Sequence, residues 1–108
     1  MKEDSALKMF AALSQETRLR IVRHLVECGT EGASAGEIGE KVGAISSRAS
    51  FHLSALEQAG IVTSERQSRN IVYRADYAAL GGLVSFLLDD CCGKHPDVVA
   101  CCDFSDCC

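Results

Sequence analysis

The sequence predicts a mainly helical domain with one small β-hairpin, in the order α-α-α-α-β-β-α. Three observations carry that reading. Apolar residues recur at helical spacing through four successive stretches up to Gly60. Strand-forming residues then gather between Ile61 and Asp76, and helical spacing returns from Tyr77. A chain of 108 residues suits one such domain. Its 47% hydrophobic and 24% charged residues are ordinary for a soluble globular protein.

Leu7, Phe10, Ala11 and Leu13 set a first helix over about residues 3–13. "SQETRLRIVRHLVEC" follows, with Ser14 as the expected N-cap and Leu19, Val22, Leu25 and Val26 as the apolar stripe; Gly29 ends it. "TEGAS" reads as a turn. Ser34 caps a short third helix, "AGEIGEKVG", with Glu37 three residues on as the partner of a capping box. The fourth helix, "SSRASFHLSALEQ", has Ser46 or Ser47 to cap it and Leu53 and Leu56 on one face, and Gly60 stops it. "IVTSER" and "NIVYRAD" flank the turn-like "QSRN" and make the hairpin. In the last helix Tyr77, Leu80, Val84, Leu87 and Leu88 share a spacing; Gly81-Gly82 weakens it by about 1 kcal/mol per glycine, an expectation offset if small residues permit close packing. The third and fourth helices, joined by a short turn at Gly43, suit a helix-turn-helix, and the hairpin directly after suits a wing. The body is therefore a winged helix-turn-helix over residues 1–90, followed by a cysteine-rich tail, 91–108.

The net charge of −4 is unevenly spread. Residues 89–108 hold five aspartates against Lys94, whereas residues 46–75 hold Arg48, Arg66, Arg69 and Arg74 against Glu57 and Glu65. The middle is thus mildly basic, as a segment facing phosphates needs to be. A recognition helix presents its N-terminal residues to base edges in the major groove. Ser46, Ser47, Arg48 and Ser50 begin the fourth helix; the arginine is suited to a guanine edge and the serines to bases or phosphates. Arg66 and Arg69 flank the wing tip and suit phosphate or minor-groove contact, and His52 suits either a phosphate contact or an internal hydrogen bond. His24 reads as structural or exposed, His95 as a turn residue, and Cys28 as a small core hydrophobe. No nucleophile–base pair, phosphate loop or cofactor motif suggests an enzyme. The charged opening "MKEDSALKMF" is no signal peptide and no apolar run could span a bilayer, so the expectation is a cytoplasmic protein with no membrane partner.

At "SSRASFHLSALEQAGIVTSERQSRNIVYRAD" the chain resembles the ArsR/SmtB family of metal-responsive repressors, whose hallmark falls here on Ser50, His52, Leu53, Leu56, Ala59, Gly60, Ile61 and Val62. "FAALSQETRLRIVRHLV" resembles the family's early helix pair, and the likeness runs over about residues 7–88. It implies a homodimer built from the first and last helices, which binds two-fold double-stranded operator DNA and leaves it when an inducer binds. Two departures matter. The third helix has no cysteine, where many arsenic-responsive members carry theirs, and residues 76–90 contain no histidine, which zinc-type members use.

Six of the seven cysteines stand as adjacent pairs, Cys91-Cys92, Cys101-Cys102 and Cys107-Cys108. A cytosolic location disfavours disulfides. Clustered thiolates select soft or borderline centres, namely zinc, cadmium, copper(I) or trivalent arsenic and antimony. A vicinal pair plus one thiol from a returning loop gives the three sulfurs that trivalent arsenic takes. Asp89 and Asp90 and a helix C-terminus beside Cys91-Cys92 favour neutral thiols, which arsenous acid meets by releasing water. The same acidity attracts divalent cations. The resemblance adds that some arsenic-responsive members pair adjacent cysteines at the end of the last helix with a third shortly after. On that basis Cys91, Cys92 and Cys101, with Cys102 beside it, are the expected site for arsenite, or antimonite, as inducer of a repressor. Cys107 and Cys108 are spare thiols, a capture relay or a second weak site. The alternatives are the same repressor sensing cadmium, lead or zinc, or thiol oxidation.

Overall fold

A computed structural model describes residues 1–88, and the predicted order of helices and hairpin is present there with one strand added. The helices are α1 (Glu3–Leu13), α2 (Glu16–Cys28), α3 (Ala35–Val42), α4 (Ser46–Gln58) and α5 (Tyr77–Leu88). The strands are β1 (Ala33–Ser34), β2 (Val62–Gln67) and β3 (Asn70–Ala75), and a 3-10 turn, Gly29–Glu31, follows α2. They form one antiparallel sheet in the order β1-β3-β2. The stretch read as a plain turn contains β1, whose Ala33 pairs with Tyr73 and Ser34 with Val72. Two residues carry no period, so only the tertiary pairing defines this strand.

The core lies where α2, α3, α4 and the hairpin base converge, with Ile21, Leu25, Ile38, Leu53, Leu56, Ile61 and Val62 fully buried. Burying each such side chain contributes about 1.5–3 kcal/mol relative to exposure. The outer helices depart from the expected stripes. α1 faces the core with Ala6, Met9 and Ala12, while Leu7 and Phe10 point outward. Small alanines let α1 lie close against α2 and α4, and the bulkier stripe is left outside. On α2, Val22 and Leu25 are buried together with Ile21, and Leu19 and Val26 are exposed. Only Leu83 of α5 is buried; a Cβ at Gly82 would meet only the flexible tip of Met1, outside the helices, and one at Gly81 nothing, so the close helix approach expected at these glycines is not what the fold uses them for.

The joints explain how α4 is aimed. Ser34 accepts from the Glu37 amide at 3.2 Å while the Glu37 carboxylate accepts from the Ser34 amide at 2.9 Å, the expected capping box. Gly43 ends α3 in the left-handed region, φ 76°, where an L side chain is strained. Three residues later α4 begins. It ends in a Schellman motif: the Gly60 amide donates to Glu57 O and the Ile61 amide to Leu56 O, both at 3.0 Å, with Gly60 at φ 87°. That turn buries Ile61 and starts β2. Two expected caps are displaced. Gln15, not Ser14, caps α2 by accepting from the Arg18 amide at 2.9 Å, because the Ser14 hydroxyl donates to Ala11 O instead. Ile45, not a serine, occupies the N-cap position of α4, with no side-chain bond to the helix.

Candidate nucleic-acid interface

The absence of a side-chain cap on α4 changes what its serines do. Ser46 and Ser47 lie inside the first turn with exposed hydroxyls, beside an exposed Arg48 and a half-buried Ser50. The opposite face carries Ala49, Leu53 and Leu56 into the core. The helix is thereby anchored along one side and presents hydroxyls and a guanidinium on the other. This is the chemistry that phosphate oxygens and base edges accept.

The wing joins the same face. Its strands pair from Val62–Ala75 to Gln67–Asn70, leaving a two-residue turn, Ser68-Arg69, with Ser68 at φ 58°. Arg66 and Arg69 are both exposed. Among the described residues, neither they nor Arg48 enters an ion pair. Other arginines are engaged. Arg74 pairs with Glu65 at 2.8 Å and donates to Thr30 O at 2.7 Å, holding the Glu65 carboxyl below its usual range, and Arg20 pairs with Glu16. The hydroxyl of Ser64 donates to Glu57 at 2.7 Å and ties β2 to the end of α4. Ser34, Gly36, Ser50, Arg69, Asn70 and Tyr73 line a shared open cleft of about 360 Å³. The start of α3, the recognition helix and the wing tip thus open onto one groove.

His52 stands apart from this face. It is 8% exposed, and its Nδ1 accepts from Arg18 Nε at 3.1 Å, which puts the ring proton on Nε2. Burial, then the nearby Arg18 and Arg48 guanidiniums, push its pKa below the ordinary value. Of the two roles its sequence position suggested, the internal hydrogen bond is the one the fold places there; a neutral buried imidazole is poorly placed for a phosphate.

Sequence reasoning passed over two side chains. Phe51 is 66% exposed and Ile45 69% exposed, both on or beside the face just described. Helical spacing alone carried the signal for Phe51, which falls four residues after Ser47 and three before Ser54, away from Leu53 and Leu56.

The thiols divide differently. Cys28 sits at the end of α2 with its sulfur 3.4 Å from His24 Nε2. Burial, then Glu37, Glu27 and Glu31, raise its pKa, so it stays a protonated thiol. Among the described residues no group of three or more His, Cys, Asp and Glu side chains is arranged to hold a metal ion. Cys91, Cys92, Cys101 and Cys102 lie outside the described residues, as does the expected boundary between body and tail at residue 90. No helix among the described residues is long and apolar enough to cross a membrane.

Known proteins share this arrangement. A helix-turn-helix domain model matches residues 13–65. An uncharacterized HTH-type transcriptional regulator of Bacillus subtilis, YceK, is 42% identical over 62 residues, 57% of this chain, and the chain spans 61% of that protein's length. An ArsR-like transcriptional regulator from Rhodococcus sp. RHA1 superposes with a TM-score of 0.68 at 33% identity, over 78% of this chain and 76% of that one. A homodimeric winged helix-turn-helix DNA-binding domain from Mycobacterium bovis, a possible ArsR-family regulator, gives 0.64 at 29% identity over 80% of each chain. A possible transcriptional regulator for arsenical resistance gives 0.62 at 28% identity over 74% and 79%. These relatives are regulators rather than enzymes. With a helix-turn-helix match over residues 13–65 and an ArsR-like regulator at 33% identity sharing the fold, the chain belongs to the ArsR family of winged helix-turn-helix transcriptional regulators.

Proposed function

We propose that this regulator is a repressor that binds double-stranded operator DNA as a homodimer and releases it on binding trivalent arsenic or antimony. Ser46, Ser47, Arg48 and Ser50 meet the major groove, and Arg66 and Arg69 meet the flanking backbone. His52 acts from behind by positioning α4 through Arg18. Cys91 and Cys92, with Cys101 or Cys102, take the inducer.

The observation that carries the inducer reading is the adjacent Cys91-Cys92 pair three residues beyond the end of α5, followed by further thiols within ten residues. The third helix, by contrast, offers none. A structural relative described as a possible regulator for arsenical resistance supports the same direction. The dimer reading draws support from unpartnered apolar side chains on α1 and α5, two helices that pack against each other. Leu7 is 57% and Leu87 65% exposed, and Phe10 on α1 and Phe86 on α5 are exposed as well. A dimer through that face couples the end of α5 to the distance between recognition helices. Three sulfur bonds to one arsenic then have to supply a coupling of only about 1–3 kcal/mol, or 5–150-fold in operator affinity.

Titrating a fluorescent operator complex separately with arsenite, antimonite, cadmium, lead, zinc and peroxide tests this. Release by arsenite and antimonite at the lowest concentrations is expected. Release by the divalent ions alone would make it a soft-metal sensor, and release by peroxide alone a thiol-redox sensor.

A further inference from the structure

Phe51 is an aromatic side chain that the core does not use. A single exposed apolar residue on an arbitrary surface needs no explanation. This one sits on the second turn of α4, the helix whose N-terminal half enters the groove in the winged helix-turn-helix arrangement. Ser47 and Arg48 lie one turn before it and Ser54 and Ala55 one turn after, so three of the ring's four neighbours along the helix are polar. It meets the His52 ring edge-to-face, centroids 5.5 Å apart and planes at 67°. His52 is held in turn by Arg18, so the aromatic has a fixed backing. Most of its surface faces out.

We propose that Phe51 determines operator specificity by packing against a thymine 5-methyl group in the major groove. The proposal rests on the operator-binding reading above and names a base that reading leaves open. In the major groove the only apolar feature of a base pair is the thymine methyl, and phenylalanine is among the side chains that contact it. A second protein is a poorer occupant. The surrounding hydroxyls, an Arg48 that enters no ion pair among the described residues and the positive balance of residues 46–75 suit an anionic, hydrogen-bonding surface with small apolar spots. The run of contacts from Arg18 through His52 to Phe51 makes His52 and Arg18 positioning residues for that contact.

The test starts from a duplex selected from a random pool by the full chain, in which each thymine is replaced in turn by deoxyuridine. That exchange removes one methyl and keeps every hydrogen-bonding group. For the wild type, one position per half-site is expected to lose about fourfold in affinity, the worth of one buried methyl-sized group. Phe51→Ala should bind thymine and deoxyuridine equally there, while keeping the wild-type salt dependence and affinity for unrelated duplex. Phe51→Leu should keep part of the discrimination. Retained discrimination in Phe51→Ala overturns the proposal. So does an altered oligomeric state in sedimentation with an unchanged thymine-to-deoxyuridine ratio, which would mark a protein interface. A chain that binds no duplex at low salt overturns the operator reading itself, and the proposal with it.

Discussion

Arg18 and His52 are thirty-four residues apart in sequence and 3.1 Å apart in space, and their contact joins α2 to the recognition helix. An imidazole in that position is kept neutral by burial and by two guanidiniums, so folding favours its unprotonated form. The linkage sign follows. With the folded pKa below the unfolded value of about 6.5, the unfolded chain binds the extra proton first. Stability from this residue is therefore complete above about pH 6.5 and is lost as the pH falls through the lower folded value. Urea unfolding of the wild type should show that decline, and His52→Gln, which keeps an acceptor for Arg18 but does not titrate, should lack this part of it. Equal pH dependence in both would remove His52 from the account. Cys28 supplies a second residue-scale expectation. A protonated, partly buried thiol among carboxylates should alkylate with iodoacetamide at neutral pH more slowly than a small free thiol such as glutathione.

At the scale of elements, the two ends of α4 are built differently. Its exit is locked by Gly60 and its entry has no side-chain cap. An added methyl at Gly60 meets only the Met9 tip at an ordinary 3.6 Å, so Gly60→Ala should cost the backbone penalty alone, about 1–2 kcal/mol in denaturant unfolding. Removing the capping box of α3 with Ser34→Ala should cost about 1 kcal/mol. Both devices were legible in the sequence, because a serine three residues before a glutamate, and a glycine after an apolar helix, are local chemistry. So were the hairpin and all five helices. β1 was not, since its two residues are a strand only through β3. The wrong stripe on α1 has a related cause. Leu7 and Phe10 have the stronger period, yet the alanine side packs inward, because which face is buried depends on the space between α2 and α4. Of the interface, the serines and arginines could be read from residue type and order. Phe51 was not legible in the same way, because residue type does not separate an outward phenylalanine from a core one and only its place off the Leu53–Leu56 face does.

For the whole molecule, the proposed dimer uses the outward stripe on α1 and the bare face of α5 as the meeting surface of two copies. A charge there should separate them. Leu7→Glu combined with Leu87→Glu is expected to shift the chain to monomer in sedimentation equilibrium and to weaken operator binding at least tenfold. Two half-sites about 34–36 Å apart are then no longer bound together. An unchanged dimer would place the interface elsewhere.

In the proposed function, thiols that follow α5 in sequence govern how tightly α4 holds DNA. The most direct measurement is operator affinity with and without arsenite, for the wild type and for the Cys91→Ser, Cys92→Ser double variant. Arsenite is expected to release the wild type, with affinity falling about 5–150-fold. The variant should bind the operator as tightly as the wild type without arsenite and stay bound with it. Release of the variant at the wild-type arsenite concentration would contradict the claim.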